Sequence, residues 1–110
     1  MYVCSPYRGD EERNTRLARQ YARFVYDKGF LPVVPHLYFP QFLEEQKEQE
    51  RLAGMEFGLS LMLQCREVWV FGEQMSEGMC REISYAVRHG IPVRYFVSSD
   101  GAFAERSAGR

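Results

Sequence analysis

The sequence has almost no net charge. Lys and Arg number 14 against 15 Asp and Glu, leaving −1 over 110 residues. That balance excludes a broad electrostatic footprint for a nucleic-acid polymer or an anionic membrane. It is compatible with one local phosphate pocket. Long apolar runs are also missing, since none approaches the roughly 18 residues a membrane span requires. Cysteine is scarce and odd in number: Cys4, Cys65 and Cys80. They lack metal-ligand spacing and cannot pair completely, so neither a disulfide framework nor a metal centre is expected. The first six residues carry no basic stretch and no apolar core, so no signal peptide is visible and a cytoplasmic protein with reduced thiols is expected. No GxGxxG, Walker or HExxH motif occurs, which argues against dinucleotide, NTPase and zinc-protease chemistry. Nothing calls for a metal or organic cofactor.

What the chain does have is apolar and aromatic mass. Apolar residues make up 45 % and charged residues 26 %, with seven Tyr, eight Phe and one Trp. This is the composition of a single globular domain. Apolar periodicity predicts a strand over residues 1–5, then a helix over 10–28. In that helix Leu17, Tyr21, Phe24, Val25 and Lys28 form one stripe, Asp10 or Asn14 caps the start, and Gly29 stops it. A buried strand is expected over 31–34 and an aromatic loop over 36–40. Residues 41–64 read as helical with a break near Glu48, and Leu52, Met55, Leu59, Met62 and Leu63 form the buried stripe. A central strand follows over 67–71. A helix over 76–89 has Ser76 as N-cap and Gly90 just past its end. The last strand covers 93–97. Residues 98–110 are expected to be a flexible tail after a domain spanning 1–97.

Alternating strands and helices predict an α/β domain of flavodoxin or Rossmann-like type. The expected sheet is parallel and four-stranded, of order 2-1-3-4, with helices on both faces. Ligands of such sheets bind beyond the carboxyl ends of the strands, where the order reverses. That rule selects three loops. The first holds Ser5, Tyr7, Arg8 and Gly9. The second holds His36. The third holds Ser76 and Gly78 at a helix N-terminus, which attracts anions. Arg8 is suited to bidentate phosphate contacts. Glu82, on the helix that begins at Ser76, flanks the apolar stripe of Met79, Ile83 and Ala86 and leans over the sheet end. Glu56 has a similar place on the preceding helix. Two carboxylates about 5–9 Å apart on one cleft suit glycosidic cleavage, one as nucleophile and one as acid.

These segments together resemble the nucleoside 2-deoxyribosyltransferase-like superfamily, which includes 2′-deoxynucleoside 5′-monophosphate N-glycosidases. The resemblance covers roughly residues 1–97. It rests on Tyr2-Val3-Cys4-Ser5-Pro6-Tyr7-Arg8-Gly9 with Asn14, on Pro35-His36, and on Ser76-Glu77-Gly78-Met79-Cys80-Arg81-Glu82-Ile83 with Ala86. It implies that Glu82 attacks C1′ of a deoxyribosyl group and passes it to water or to a second base. It also implies that Tyr7 orients the Glu or the sugar, and that Arg8, Gly9 and Ser76, with His36 nearby, hold a 5′-phosphate. The superfamily's Asp on the preceding helix is absent: Gly58 and Leu59 stand near its place, and Glu56 is the nearest carboxylate. The expected partners are a small nucleoside or nucleotide and further copies of this chain, as a homodimer or larger, with Leu37-Tyr38-Phe39 and the 41–64 region at the interface. The alternative is a pocket that binds such a ligand without cleaving it.

Overall fold

The computed structural model describes residues 1–99 and 102–106. Its strands are β1 (Tyr2–Cys4), β2 (Val68–Phe71), β3 (Val93–Ser99) and β4 (Ala102–Arg106). Its helices are α1 (Glu11–Asp27), a single turn α2 (Pro35–Tyr38), α3 (Glu48–Met62) and α4 (Glu77–Arg88), with a 3-10 turn over Phe39–Gln41. The sheet runs β1-β2-β3-β4. β1 and β2 pair parallel, as do β2 and β3, whereas β3 and β4 pair antiparallel.

This corrects the expected all-parallel sheet of order 2-1-3-4: the sheet is mixed. Two causes are visible. The segment 31–34 makes one isolated parallel bridge, Tyr2 to Val33, and no strand. Pro32 has no N–H to give a ladder, and Pro35 opens α2 at once. The other cause is the segment expected to fray. Residues 102–106 pair with β3 because Phe103 packs edge-on against Tyr21, Phe24 and Phe71, with ring centroids 5.3–5.7 Å apart. The rest of the expected tail, residues 100, 101 and 107–110, lies outside the described residues.

Strand alternation divides the core in two. Val3, Trp69, Phe71 and Phe96 point to one face and meet Tyr21 and Val25 of α1. Tyr2, Cys4, Val68 and Val70 point to the other and meet Met62, at the end of α3, and Met79 and Ala86 of α4. The expected buried stripe of α3 needs correction: only Gly58 and Met62 are buried on this helix, and Leu52 and Leu63 are exposed. The helix stands off the sheet along its first turns, and the space between is a crevice.

The caps place the helices. The Asp10 side chain accepts from the Arg13 N–H at 3.2 Å and starts α1. Asn14 instead donates to the Tyr7 carbonyl at 2.9 Å, fixing the loop before the helix. Ser76 accepts from the Met79 N–H at 3.2 Å and starts α4 just beyond β2. No described helix is long and apolar enough to cross a membrane.

Candidate functional site

A crevice of about 540 Å³ opens beyond the carboxyl ends of β1 and β2. Ser5, Tyr7, Arg8 and Gly9 form one wall, and His36 with Phe39 forms the next. Gly54, Met55, Gly58 and Leu59 of α3 face them, and Ser76, Gly78 and Glu82 complete the ring. The structure therefore brings together eight of the nine residues selected from the sequence.

Glu56 is the ninth, and it is not there. Its side chain is exposed and does not line the crevice. The physical reason is register. On α3 the residues turned inward are Gly54, Met55, Gly58 and Leu59, and Glu56 falls outside that stripe. Pairing Glu56 with Glu82 as acid and nucleophile is thereby corrected.

Glu82 is held from below by a residue that sequence reasoning missed. The Tyr2 hydroxyl donates to Glu82 Oε2 at 2.6 Å, from a fully buried side chain. Eighty positions separate the two, so no local spacing could have announced the pair. Burial pushes the Glu82 carboxyl above the ordinary carboxylate value, while the Tyr2 hydrogen bond, the nearby Cys4 thiol and the Arg81 charge oppose the rise. Burial pushes Tyr2 well above its usual value too, and the adjacent Glu82 adds to that. Burial pushes the Cys4 thiol up as well, with the adjacent Glu82 adding to that. Its own hydrogen bond to the Met79 carbonyl is long, at 3.9 Å. Room for the tyrosine hydroxyl comes from Gly58. A Cβ at that position would stand 3.1 Å from Tyr2 Oη, tighter than ordinary contact.

Another part of the crevice lining is polar and unsatisfied among the described residues. Ser5 is 2 % exposed, and its hydroxyl has no hydrogen-bond partner among the described residues. An unpaired buried hydroxyl costs about 1–3 kcal/mol unless a ligand or water meets it. Nearby, α4 begins. Met79 N–H is taken by Ser76, but the N–H groups of Glu77 and Gly78 come before the first intrahelical bond. Gly9 turns the first loop with φ +105°, a value that disfavours any side chain. Arg8 is exposed at the rim and forms no ion pair among the described residues.

His36 links the two walls. Its Nε2 lies 3.0 Å from the Ser5 carbonyl, which can only accept, so Nε2 carries the proton. Burial lowers its pKa, and the bond to Ser5 works against that. Its ring stacks on Tyr7, with centroids 5.0 Å apart and planes 20° from parallel. Burial raises the Tyr7 pKa, with Glu11 and Glu45 adding to the effect. Among the described residues no cluster of His, Cys, Asp and Glu could hold a metal ion.

The arrangement offers, in one cleft, a hydrogen-bonded carboxylate and hydrogen-bond donors free to meet an anion. Comparison with curated proteins found no match, and comparison with solved structures found none either. Residues 1–96, which include every residue of the crevice, match the family described as a domain of unknown function (DUF7768), and the chain belongs to that family.

Proposed function

We propose that the crevice cleaves or transfers the N-glycosidic bond of a nucleoside or nucleoside 5′-monophosphate, with Glu82 as the nucleophile. The observation that carries this reading is the Tyr2–Glu82 hydrogen bond of 2.6 Å inside the same cleft as the unpartnered Ser5 hydroxyl. Tyr2 fixes one carboxylate oxygen and leaves the other to attack C1′. The base departs, a glycosyl ester forms on Glu82, and water or a second base then takes the sugar. Ser5, the first N–H groups of α4 and Arg8 would receive the phosphate. Tyr7, stacked on His36, would pack on the sugar. The resemblance of the first loop and of the Ser76–Ile83 segment to the nucleoside 2-deoxyribosyltransferase-like superfamily supports the same reading.

A second reading has one observation in its favour. Glu56 lies outside the crevice, so the cleft could hold a nucleotide-like ligand without cleaving it. The experiment that separates the two is incubation with a panel of deoxynucleosides and deoxynucleoside monophosphates, followed by chromatography for free base. Release that disappears in Glu82→Gln supports cleavage. Binding by calorimetry with no release, weakened in Arg8→Ala, supports the second reading.

The same proposal places the chain in the cytoplasm, acting on small molecules and not on nucleic-acid polymers. It also has copies of the chain meet through the aromatic cluster beside the crevice. Tyr38, Phe42 and Phe57 there are 60 %, 56 % and 46 % exposed, respectively. Light scattering that gives only the monomer mass would refute this assembly.

A further inference from the structure

Cleavage of a glycosidic bond leaves an electron pair on the departing group. A neighbouring acid can neutralise it with a proton, or fixed positive charge can stabilise it as an anion. The first route lacks its expected donor here, because α3 turns Gly54, Met55, Gly58 and Leu59 toward Glu82 and keeps Glu56 outside. Of the other carboxylates around the crevice, Glu44 and Glu50 lie 3.0 and 3.9 Å from Lys47, and Glu77 lies 4.0 Å from Arg81 with its side chain 95 % exposed. Glu45 sits near Tyr7, on whose pKa it acts.

Positive charge, by contrast, converges on the crevice from two helices. Arg51 Nη1 of α3 lies 3.7 Å from Met55 Sδ, and Arg81 Nη1 of α4 lies 3.6 Å from the same sulfur. The two guanidiniums are therefore separated by no more than those two distances together. A thioether is a weak acceptor and neutralises neither. Arg51 has no ion pair among the described residues. Arg81 has one, at 4.0 Å, to a Glu77 side chain that is 95 % exposed. Like charges held so close repel, and an anion between them removes the cost. Arg81 precedes Glu82 on α4, and both line the crevice together with Arg51.

We infer that Arg51 and Arg81 clamp the leaving group, and that the substrates are glycosyl donors whose leaving group departs as an anion. An acidic heterocycle and a phosphate share that chemistry. The inference rests on Glu82 as nucleophile and adds a substrate class to it. In the first step a Glu82 oxygen bonds to C1′. The bond from C1′ to the leaving group breaks, and its electron pair leaves with that group, which needs no proton. In the second step water bonds to C1′, the ester to Glu82 breaks, and the surplus proton of water goes to solvent. A leaving group that stays ionised in solution, such as a nitrophenolate, therefore leaves one proton per turnover, whereas phosphate retains that proton as hydrogen phosphate and releases none.

The test is steady-state kinetics on four 5-phosphorylated deoxyribosyl donors. Their leaving groups are 4-nitrophenolate, xanthine, phosphate and adenine; the first three depart as anions, and adenine departs after protonation. Wild type should turn over the nitrophenolate donor and at least one of the xanthine and phosphate donors, with proton release from the nitrophenolate donor in a lightly buffered indicator assay. The adenine donor should be about a hundredfold slower. Arg51→Gln and Arg81→Gln should each lower kcat on the anionic donors by about a hundredfold, and leave the rate on the adenine donor within severalfold of wild type. Free guanidinium should restore part of the rate to Arg81→Ala, and Arg88→Gln, outside the crevice, should match wild type. Wild-type rates in both Arg variants, with Glu82→Gln inactive, would overturn the clamp and leave the nucleophile standing. Preferred turnover of the adenine donor, abolished in Glu45→Gln, would overturn it in favour of a proton donor. Turnover of none of the four by wild type would overturn both the nucleophile and the clamp.

Discussion

On the α1 side of the sheet, Trp69, Phe71 and Phe96 stack and tilt against Tyr21, Phe24 and Phe103, with ring centroids 4.5–6.0 Å apart. Arg94 lies over Trp69 at 5.0 Å and ties Glu67 and Glu105 across three strands. On the other side, Tyr2 and Cys4 share the buried layer with Glu82, and α3 offers glycines where a core helix would offer leucines. The first side fills its volume. The second leaves a hollow, strands the Ser5 hydroxyl without a partner and keeps a carboxylate half out of water. These features are unfavourable for folding and useful for chemistry. The contrast sets a face that provides the stability against one that carries the candidate site.

Substitutions can break that division of labour, and the largest effect is expected at Glu82. Glu82→Gln should lower turnover by about 10⁴-fold or more, read as initial rate of base release. It should also stabilise the fold. The folded-state pKa of Glu82 is raised, so its contribution is most favourable below the ordinary carboxylate range and is lost as pH rises through the folded value. Removing the ionisable group should therefore raise the melting temperature at pH 7 and leave it unchanged near pH 3. Trp69→Ala should do the reverse. It should cost about 3–5 kcal/mol in urea unfolding, with any residual folded protein keeping its catalytic pH profile.

Tyr2→Phe tests the seam between the two faces. The hydroxyl favours the ionised Glu82, so its loss should move the acidic limb of kcat upward in pH and slow turnover about tenfold or more. An unmoved limb would show that the bond does not tune the carboxylate. Gly58→Ala is expected to be smaller still. Better helix propensity, about 1 kcal/mol, opposes the crowding of Tyr2 Oη, so stability should change by less than about 1 kcal/mol while the rate falls severalfold. Phe57→Ser, on the exposed cluster, should alter monomer stability by about 0.5 kcal/mol or less and register mainly as a change in mass by light scattering.

Much of the site was legible because its signals are local. Ser76 before Glu77 announces a helix start, and Glu82 follows on the same helix at a countable distance. Arg8-Gly9 and Pro35-His36 mark loops by residue type alone. What escaped depends on contacts between distant segments. Val33 and Val34 look like a strand until Pro32 and Pro35 remove the ladder's donors. The segment 98–106 looks like a polar tail until Phe103 finds the ring cluster under β3. Glu56 has the right chemistry, and only the packing of Gly58 against Tyr2 shows that it stands outside the inward stripe. Tyr2 itself reads as one more aromatic in a buried strand.

One helix carries both ends of the site. Ser76 caps α4 and Glu82 lies six residues on, a span of about 9 Å in a rod that rises 1.5 Å per residue. Because the rod is rigid, it acts as a gauge. On the proposed reading, a sugar phosphate whose anion and anomeric carbon match that interval would be gripped and attacked at once. One with a longer or shorter arm must give up either the grip or the attack.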